Sequence, residues 1–286
     1  MGGTILVVGA TGNTGRALVR VLRQAGVPVR AAARERSTLV ELKVVDFVEI
    51  DYGNAVSLAR AMRGVDRVYL AVPLVTDLLA LTEQVVAAAV KAGVRHMVKL
   101  SAPGADRPVS LLLGQWHRAA EQVIETSGLA WTHLRPNSFM QNFTNNHLGS
   151  MRSLGLFHDP VGAGRVSYID VADVAAVAAA VLTGTGHENK VYTLTGPEAV
   201  SSHDAAALFS RAAGREIRCV EVSVEAARDA MFGFGLPVPV VDAVAELYSL
   251  MRNGGLADVL STVEDLTGRP ARSFADYAAG LQTLFR

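Results

Sequence analysis

Residues 4–15 read TILVVGATGNTG, from Thr4 to Gly15. An apolar, β-branched run enters a turn rich in glycine. The residues that follow, Thr14–Ala25, carry Ala17, Leu18, Val21, Leu22 and Ala25 at a 3.6-residue period, the mark of an amphipathic helix. A strand, a glycine turn and a helix in immediate succession form the setting in which such a turn reads as a phosphate-binding loop. Gly9 permits the tight turn, Gly12 lets backbone N–H groups approach a pyrophosphate, and Gly15 lets helix and strand lie close. Thr11, Asn13 and Thr14 complete the expected contact set. The helix N-terminus adds unpaired donors and a partial positive charge. The spacing is GxxGxxG rather than GxGxxG, and the competing reading is a glycine turn that holds nothing.

Working outward, short apolar runs alternate with longer amphipathic ones. Expected strands are Thr4–Gly9, Val29–Arg34, Phe47–Asp51, Arg67–Val72, His96–Leu100, Ala130–Leu134 and Val191–Thr195. Expected helices include Thr14–Ala25, Asn54–Met62, Leu78–Ala92, Trp116–Thr126 and Asp173–Leu182. Nearly all-apolar strands in repeated βα units imply a parallel sheet covered on both faces, an α/β doubly wound fold. Asn137–Asn146 reads as a loop or short helix. The chain beyond Pro197 is mostly helical, with Ser202 and Ser223 as N-caps. The resulting division is a Rossmann domain over residues 1–136, to which 163–196 return, and a smaller lobe of 137–162 and 197–286.

The chain has 286 residues, 27 Lys plus Arg against 27 Asp plus Glu, and no formal net charge. No basic excess exists to neutralise phosphates, which argues against nucleic-acid binding and against a polybasic membrane contact. Cys219 is the only cysteine, so an intramolecular disulfide and a cysteine zinc site are excluded. No apolar run approaches the roughly 18 residues of a membrane span, and the N-terminus enters a strand at once, without room for a signal peptide. The expectation is a cytoplasmic protein, monomer or homodimer, acting on a small molecule.

The dinucleotide reading is tested at the end of the second strand, where an NAD site usually carries an acidic residue about 20 residues after the loop. Arg34, Glu35, Arg36, Ser37 and Thr38 stand there. A guanidinium at Arg34 matches a 2′-phosphate, and the hydroxyls of Ser37 and Thr38 add contacts, so the expected cofactor is NADP(H). A Glu35 turned inward would favour the ribose of NAD instead. Asp51 and Tyr52 lie beside the adenine or form an exposed acidic turn. Ala71, Val72 and Pro73 are small enough to leave room for ribose and nicotinamide.

Gly9–Gly15, Arg34 in AAAR, Val85–Ala102, His117–Phe143, Ser167–Ala175 and Gly186–Gly196 together resemble the NmrA-like, atypical branch of the short-chain dehydrogenase/reductase superfamily. The likeness covers nearly the whole chain and is greatest to the subgroup of triphenylmethane reductase and NADPH quinone oxidoreductase. It implies an NADP-binding Rossmann lobe, a small C-terminal lobe and a substrate between them. Most short-chain dehydrogenases place a Tyr-x-x-x-Lys pair on the helix after the fifth strand. Counting back from Glu121, Leu113 takes the tyrosine position and His117 the lysine position. Related NmrA-like reductases also carry a histidine where His117 stands.

Without that pair, acceptors that need little acid assistance are favoured, since a simple ketone becomes a basic alkoxide. His117 is the leading catalytic candidate, bonding the nicotinamide ribose or a substrate oxygen, or else a helix-surface histidine. Ser101, ending the fifth strand, binds a carbonyl oxygen or caps the turn before Pro103. Lys99 reads as an exposed or snorkelling strand residue. Pro136 passes under the nicotinamide, and Asn137 reaches its carboxamide or the substrate. Phe139, Met140, Phe143 and Phe157 form an apolar wall for a flat aromatic acceptor, or ordinary core. Asp170 reads as a helix N-cap with Asp173 in the first turn. His158, Asp159 and His187 lack ligand spacing, so no metal is expected. No Gly-x-Ser-x-Gly elbow supports hydrolysis. The expected function is NADPH-dependent reduction of an aromatic or quinone-like acceptor, in general metabolism or in a biosynthetic pathway. The alternative is a catalytically silent, NADP(H)-sensing regulator.

Overall fold

The structure is a computed structural model that describes residues 3–35, 46–105 and 111–285. The chain runs β1 (Thr4–Val8), α1 (Asn13–Gln24), β2 (Val29–Ala33), β3 (Asp46–Glu49), α2 (Ala55–Met62), β4 (Val65–Leu70), α3 (Leu78–Ala92), β5 (His96–Leu100), α4 (Leu112–Glu125) and β6 (Ala130–Pro136). It continues with α5 (Gln141–Leu154), β7 (Leu156–Asp159), β8 (Arg165–Val166), α6 (Val171–Thr183) and β9 (Lys190–Leu194). A seven-stranded sheet forms in the order β3-β2-β1-β4-β5-β6-β9. The pairings from β3 across to β6 are parallel. This is the doubly wound Rossmann arrangement expected from the apolar strands. Leu6, Val7 and Val8 of β1, Val68, Tyr69 and Leu70 of β4, and Met97 and Val98 of β5 are all fully buried. Burial of consecutive residues requires cover on both faces of the sheet.

The chain divides into two compact units. The first holds residues 1–110, 114–135 and 174–193; the second holds 111–113, 136–173 and 194–286. Segment 163–173, expected to return to the Rossmann domain, belongs instead to the second unit. Its strand β8 pairs antiparallel with β10 (Val200–Ser201). The second unit adds α7 (Ser202–Ala213), β11 (Arg218–Glu221), α8 (Val224–Gly233), α9 (Val238–Arg252), α10 (Thr262–Thr267) and α11 (Phe274–Ala279). Its core is aromatic, with the Phe143 ring 5.2–5.5 Å from those of Phe157, Tyr168, Phe209 and Phe274. Among the described residues no helix is long and apolar enough to cross a membrane.

Some local expectations give way. The polar stretch after Asn137 is a full helix, α5, that buries only Phe143 and Met151. Two anchors are too few to stand out as a periodic stripe. Ser201, not Ser202, caps α7: its hydroxyl accepts from the Asp204 N–H while the Asp204 carboxylate accepts from the Ser201 N–H. Ser202 is the first residue of the helix and is buried. Ser223 caps α8 as expected.

The glycine turn is held by sterics. Gly9 has φ +81°, and a Cβ there would lie 2.4 Å from the Ala71 carbonyl oxygen. A Cβ on Gly15 would lie 2.2 Å from the Gly9 carbonyl oxygen, so α1 packs on the turn only if Gly15 has no side chain. Gly12 is different, since its nearest neighbour would be the Gly9 oxygen at 3.4 Å. In urea unfolding without cofactor, Gly15→Ala is expected to cost about 1–3 kcal/mol through overpacking. Gly12→Ala should cost less than about 1 kcal/mol, an N-cap preference only. Equal losses would show that the close approach at Gly15 is not a constraint.

Candidate active site

The C-terminal ends of β1 to β5 lie along one edge of the parallel sheet, and the expected cofactor residues gather there. Thr11, Gly12 and Asn13 form an exposed crest above buried Thr14 and Gly15. The Gly12 N–H donates to the Gly9 carbonyl (3.0 Å), and Arg16 Nε donates to the Thr11 carbonyl (2.8 Å). Gly12 is the N-cap of α1, no side chain caps the helix, and its first turn carries no acidic residue. The first-turn N–H groups are thus open to an anion. Open donors, a crest without side-chain bulk at Gly12 and the positive end of a helix fit a dinucleotide diphosphate.

Arg34 is exposed just beyond β2. Burial raises the Tyr52 hydroxyl above its ordinary pKa, and the charge of Arg34 opposes that rise. The Asp51 carboxylate accepts from the Gly53 N–H (3.0 Å), closing the turn after β3. Ala71 and Val72 are half-buried and Pro73 is exposed; β4 ends at Leu70, so all three belong to the loop after it. Ser37 and Thr38 lie outside the described residues.

At the end of β5 stands a connected polar cluster. The Glu121 carboxylate is fully buried on α4 and is gripped by Arg135, whose Nε and Nη2 donate to its two oxygens at 2.9 and 2.6 Å. Ser101 Oγ donates to Oε1 at 2.6 Å, and Arg118 Nη1 donates to Oε2 at 3.1 Å. Burial pushes the Glu121 carboxyl up, but the bonds from Arg135 and Ser101 prevail and hold it at about 2. Four residues before Glu121 on the same helix, His117 is half-buried, with Nδ1 2.9 Å from Lys99 Nζ. Lys99 also donates to the Leu100 carbonyl at 3.2 Å. Burial lowers the Lys99 ammonium to about 7, with Glu121 resisting and Arg135 assisting. Burial and then the Lys99 charge hold the His117 imidazole well below its ordinary value, so it is neutral.

Lys99 therefore corrects the expectation of an exposed or snorkelling residue: it is 1% exposed, because β5 is covered on both faces. Ser101 is brought to the cluster, but its hydroxyl proton is committed to Glu121 and does not point to a carbonyl oxygen. Asn137 is not free to meet a carboxamide. Its Nδ2 donates to Ser167 Oγ (2.7 Å) and the Leu256 carbonyl (3.0 Å), and its Oδ1 accepts from the Ser138 N–H (2.7 Å). Pro136, the last residue of β6, is buried. Met140, Phe143 and Phe157 lie inside the core of the second unit rather than on a wall, because the rings pack against one another. Phe139 alone of that set is half-buried, its backbone bridging to Ile169. Asp170 caps α6 by accepting from the Ala172 N–H (2.8 Å), whereas Asp173 accepts from the Arg272 N–H (2.8 Å) rather than from the helix itself.

Residues 1–276 match the NmrA-like family. The chain belongs to that family. It is 42% identical over 276 residues to an NAD(P)H azoreductase of Xenophilus azovorans, covering 96% of each chain. It is 43% identical over 279 residues to a (4-alkanoyl-5-oxo-2,5-dihydrofuran-3-yl)methyl phosphate reductase of Streptomyces griseus, again covering 96% of each. Among solved structures, an NADPH-dependent quinone oxidoreductase of Escherichia coli complexed with NADPH superposes with a TM-score of 0.84 at 28% identity, covering 97% of this chain and 99% of that one.

In this NmrA-like chain the site residues that sequence reasoning missed are Lys99, Glu121 and Arg135. Two signals were present. A lysine inside a strand buried on both faces must be internal, and Glu121 stands at i+4 from His117 on one helix face. Glu121, Glu125 and His133 bring three ligating atoms within 4.8 Å of one another. Arg118, however, bonds both glutamates, and Arg135 grips Glu121, so a cation there would have to displace guanidinium groups.

Two outcomes follow from these charges. Glu121→Gln removes the carboxylate that Arg135 grips and is expected to cost about 3–5 kcal/mol in urea unfolding. Lys99→Met removes a buried base whose folded value, about 7, lies below its ordinary 10.5. Between those values the unfolded chain holds the extra proton, so rising pH favours the folded state. The unfolding free energy of the wild type minus that of Lys99→Met should therefore climb from about pH 7 to about pH 10.5 and be level below pH 7. A flat difference would mean that Lys99 keeps its ordinary value.

Proposed function

We propose that this chain is an NADP(H)-dependent reductase whose acceptor is a conjugated, electron-poor double bond, of azo, quinone-like or enone-like type. The observation that carries the reading is a neutral imidazole, His117, held by buried Lys99 at the end of the sheet where an uncapped glycine turn awaits a diphosphate.

Gly9, Gly12 and Gly15 give the diphosphate its approach, and the first-turn N–H groups of α1 bind it. Thr11, Asn13 and Thr14 frame that turn. Arg34 pairs with the 2′-phosphate, Asp51 and Tyr52 flank the adenosine, and Ala71, Val72 and Pro73 leave room for the nicotinamide ribose. Bound in this way, the nicotinamide supplies the hydride.

Acceptor chemistry follows from the acid available. With Leu113 and His117 in place of the usual tyrosine and lysine, no phenol is present to protonate an alkoxide. A conjugated acceptor spreads the charge left by the hydride, so the hydride step needs little acid assistance and a hydrogen bond from the ring N–H can accompany it. The relatives at 42 and 43% identity carry names that contain an azo group and an oxo-dihydrofuran, and the structural neighbour reduces quinones. All three acceptors fit this description, which supports the class without choosing within it.

Calorimetric titration with NADPH and NADH, followed by loss of reduced-nicotinamide absorbance with azo, quinone and enone acceptors, tests the reading. NADPH is expected to bind more tightly than NADH. Arg34→Ala should weaken NADPH by about 10-fold, the loss of one charge-assisted bond, and leave NADH nearly unchanged. Equal affinities would overturn the 2′-phosphate role of Arg34. Tight binding with no acceptor reduced would overturn the reductase reading in favour of a nucleotide sensor.

A further inference from the structure

We propose that Lys99 is a positioning residue for His117: its ammonium, enclosed by the sheet, donates to Nδ1 and so fixes the proton of the neutral imidazole on Nε2, the atom left to protonate the reduced acceptor. The proposal rests on the reductase reading for the identity of the acceptor, but not for the tautomer.

The geometry allows little else. Lys99 Nζ lies 2.9 Å from His117 Nδ1 and 3.2 Å from the Leu100 carbonyl. An ammonium has only donors, so the Nδ1 it meets must be a lone pair, and the ring proton must sit on Nε2. Among the described residues Nε2 has no hydrogen-bond partner. The groups facing Lys99 are His117 and Glu121 of α4 and Arg135 and His133 of β6. Glu121 is committed to Arg135 and Ser101, so it attracts the ammonium without taking its proton. His133 is buried and held at about 4, so it carries no charge near neutrality.

The transfer balances. The Nε2–H bond breaks and its proton joins the anionic atom of the reduced acceptor, while a proton leaves Lys99 Nζ and forms a new bond at Nδ1. The imidazole ends neutral with its proton on the other nitrogen and Lys99 ends as an amine; one solvent proton arriving at Nε2, with the Nδ1 proton returning to Nζ, restores both. Lys99 titrates near pH 7, so the relay is loaded below that pH and empties above it.

The first test needs neither cofactor nor acceptor. Long-range proton–nitrogen correlation on protein labelled at its seven histidines, with His117 assigned by a His117→Gln variant, reports the tautomer directly. At pH 6 we expect Nδ1 to resonate as an acceptor and Nε2 as an N–H, with the preference weakening as pH rises through 7. Lys99→Met should leave a mixed population at pH 6, and Lys99→Arg, which stays charged, should keep the Nε2–H form to higher pH. An Nδ1–H tautomer in the wild type, or an unchanged tautomer in Lys99→Met, overturns the proposal. If Lys99→Met does not fold, the wild-type titration decides.

The second test compares a neutral azo dye, which takes hydride and proton, with a cationic triarylmethane dye, which takes hydride alone. Lys99→Met is expected to lower kcat on the azo dye by about 10-fold or more, with KM little changed and the cationic dye little affected. The wild-type azo profile should fall above about pH 7 and the other should not. Equal losses on both dyes would make Lys99 a structural support and overturn the relay. Reduction of neither dye would count against the reductase reading, while the tautomer would still decide the role of Lys99.

Discussion

A carboxylate with no access to solvent must be paired on every side, and the polar centre of the first unit is built around that requirement at Glu121. Arg135 reaches it from β6, Ser101 from the end of β5, and Arg118 from the same helix. Three successive elements, β5, α4 and β6, are thereby joined at one group. The join fixes the rotation of α4 on the sheet. Gly114 permits it, since a Cβ there would lie 2.6 Å from the Gly104 carbonyl oxygen. His117, one turn before Glu121, takes its place along the helix from this pairing, and its ring meets Lys99 Nζ through Nδ1.

The same burial acts with opposite sign on neighbouring groups. Desolvation disfavours charge, so it raises a carboxyl and lowers an ammonium or imidazolium. At Glu121 the bonds from Arg135 and Ser101 overcome it, and the group stays ionised at about 2. At Lys99 they do not. The one carboxylate nearby is already committed to a guanidinium, and the ammonium falls to about 7. His117 sits beside that ammonium and is driven further down. The outcome is a graded set: a permanent ion pair, a lysine that titrates near neutrality, and an imidazole that stays neutral. Only the last two can exchange a proton at ordinary pH.

How much of this is legible in the residues alone depends on the range of the interaction concerned. The glycine turn is legible because each glycine answers a local demand, a positive φ at Gly9 and a helix packed against the turn at Gly15. The parallel, doubly wound sheet follows from apolar runs separated by helices. Lys99 was legible in principle, since HMVKL lies in a strand covered on both faces, yet an isolated lysine is easily assigned to the surface. The Glu121–Arg135 pair was not, because fourteen residues and a helix-to-strand connection separate its members and no period links them. Phe143 and Phe157 illustrate the opposite failure. An aromatic cluster that lines a ligand and one that fills a core have the same composition, and only the ring-to-ring packing distinguishes them. Asn137 failed likewise, since its partners Ser167 and Leu256 lie far along the chain.

The loss of the tyrosine–lysine pair at Leu113 and His117 is better understood as a change in where a proton enters the acid. A phenol gives up its proton and regains it at one oxygen. An imidazole has two nitrogens, and a donor bonded to Nδ1 supplies a proton on one side as Nε2 releases one on the other. The charge left on the ring is thus cancelled from within the protein at the moment of transfer, and a solvent proton at Nε2 resets the tautomer once that side is free. The cost is acid strength: a neutral imidazole is a weak donor, which suits an acceptor whose conjugation already spreads the charge that the hydride leaves. Under the proposed relay, the restriction to conjugated acceptors and the use of a buried lysine behind His117 go together with the two residues, Leu113 and His117, that α4 carries in place of the tyrosine–lysine pair.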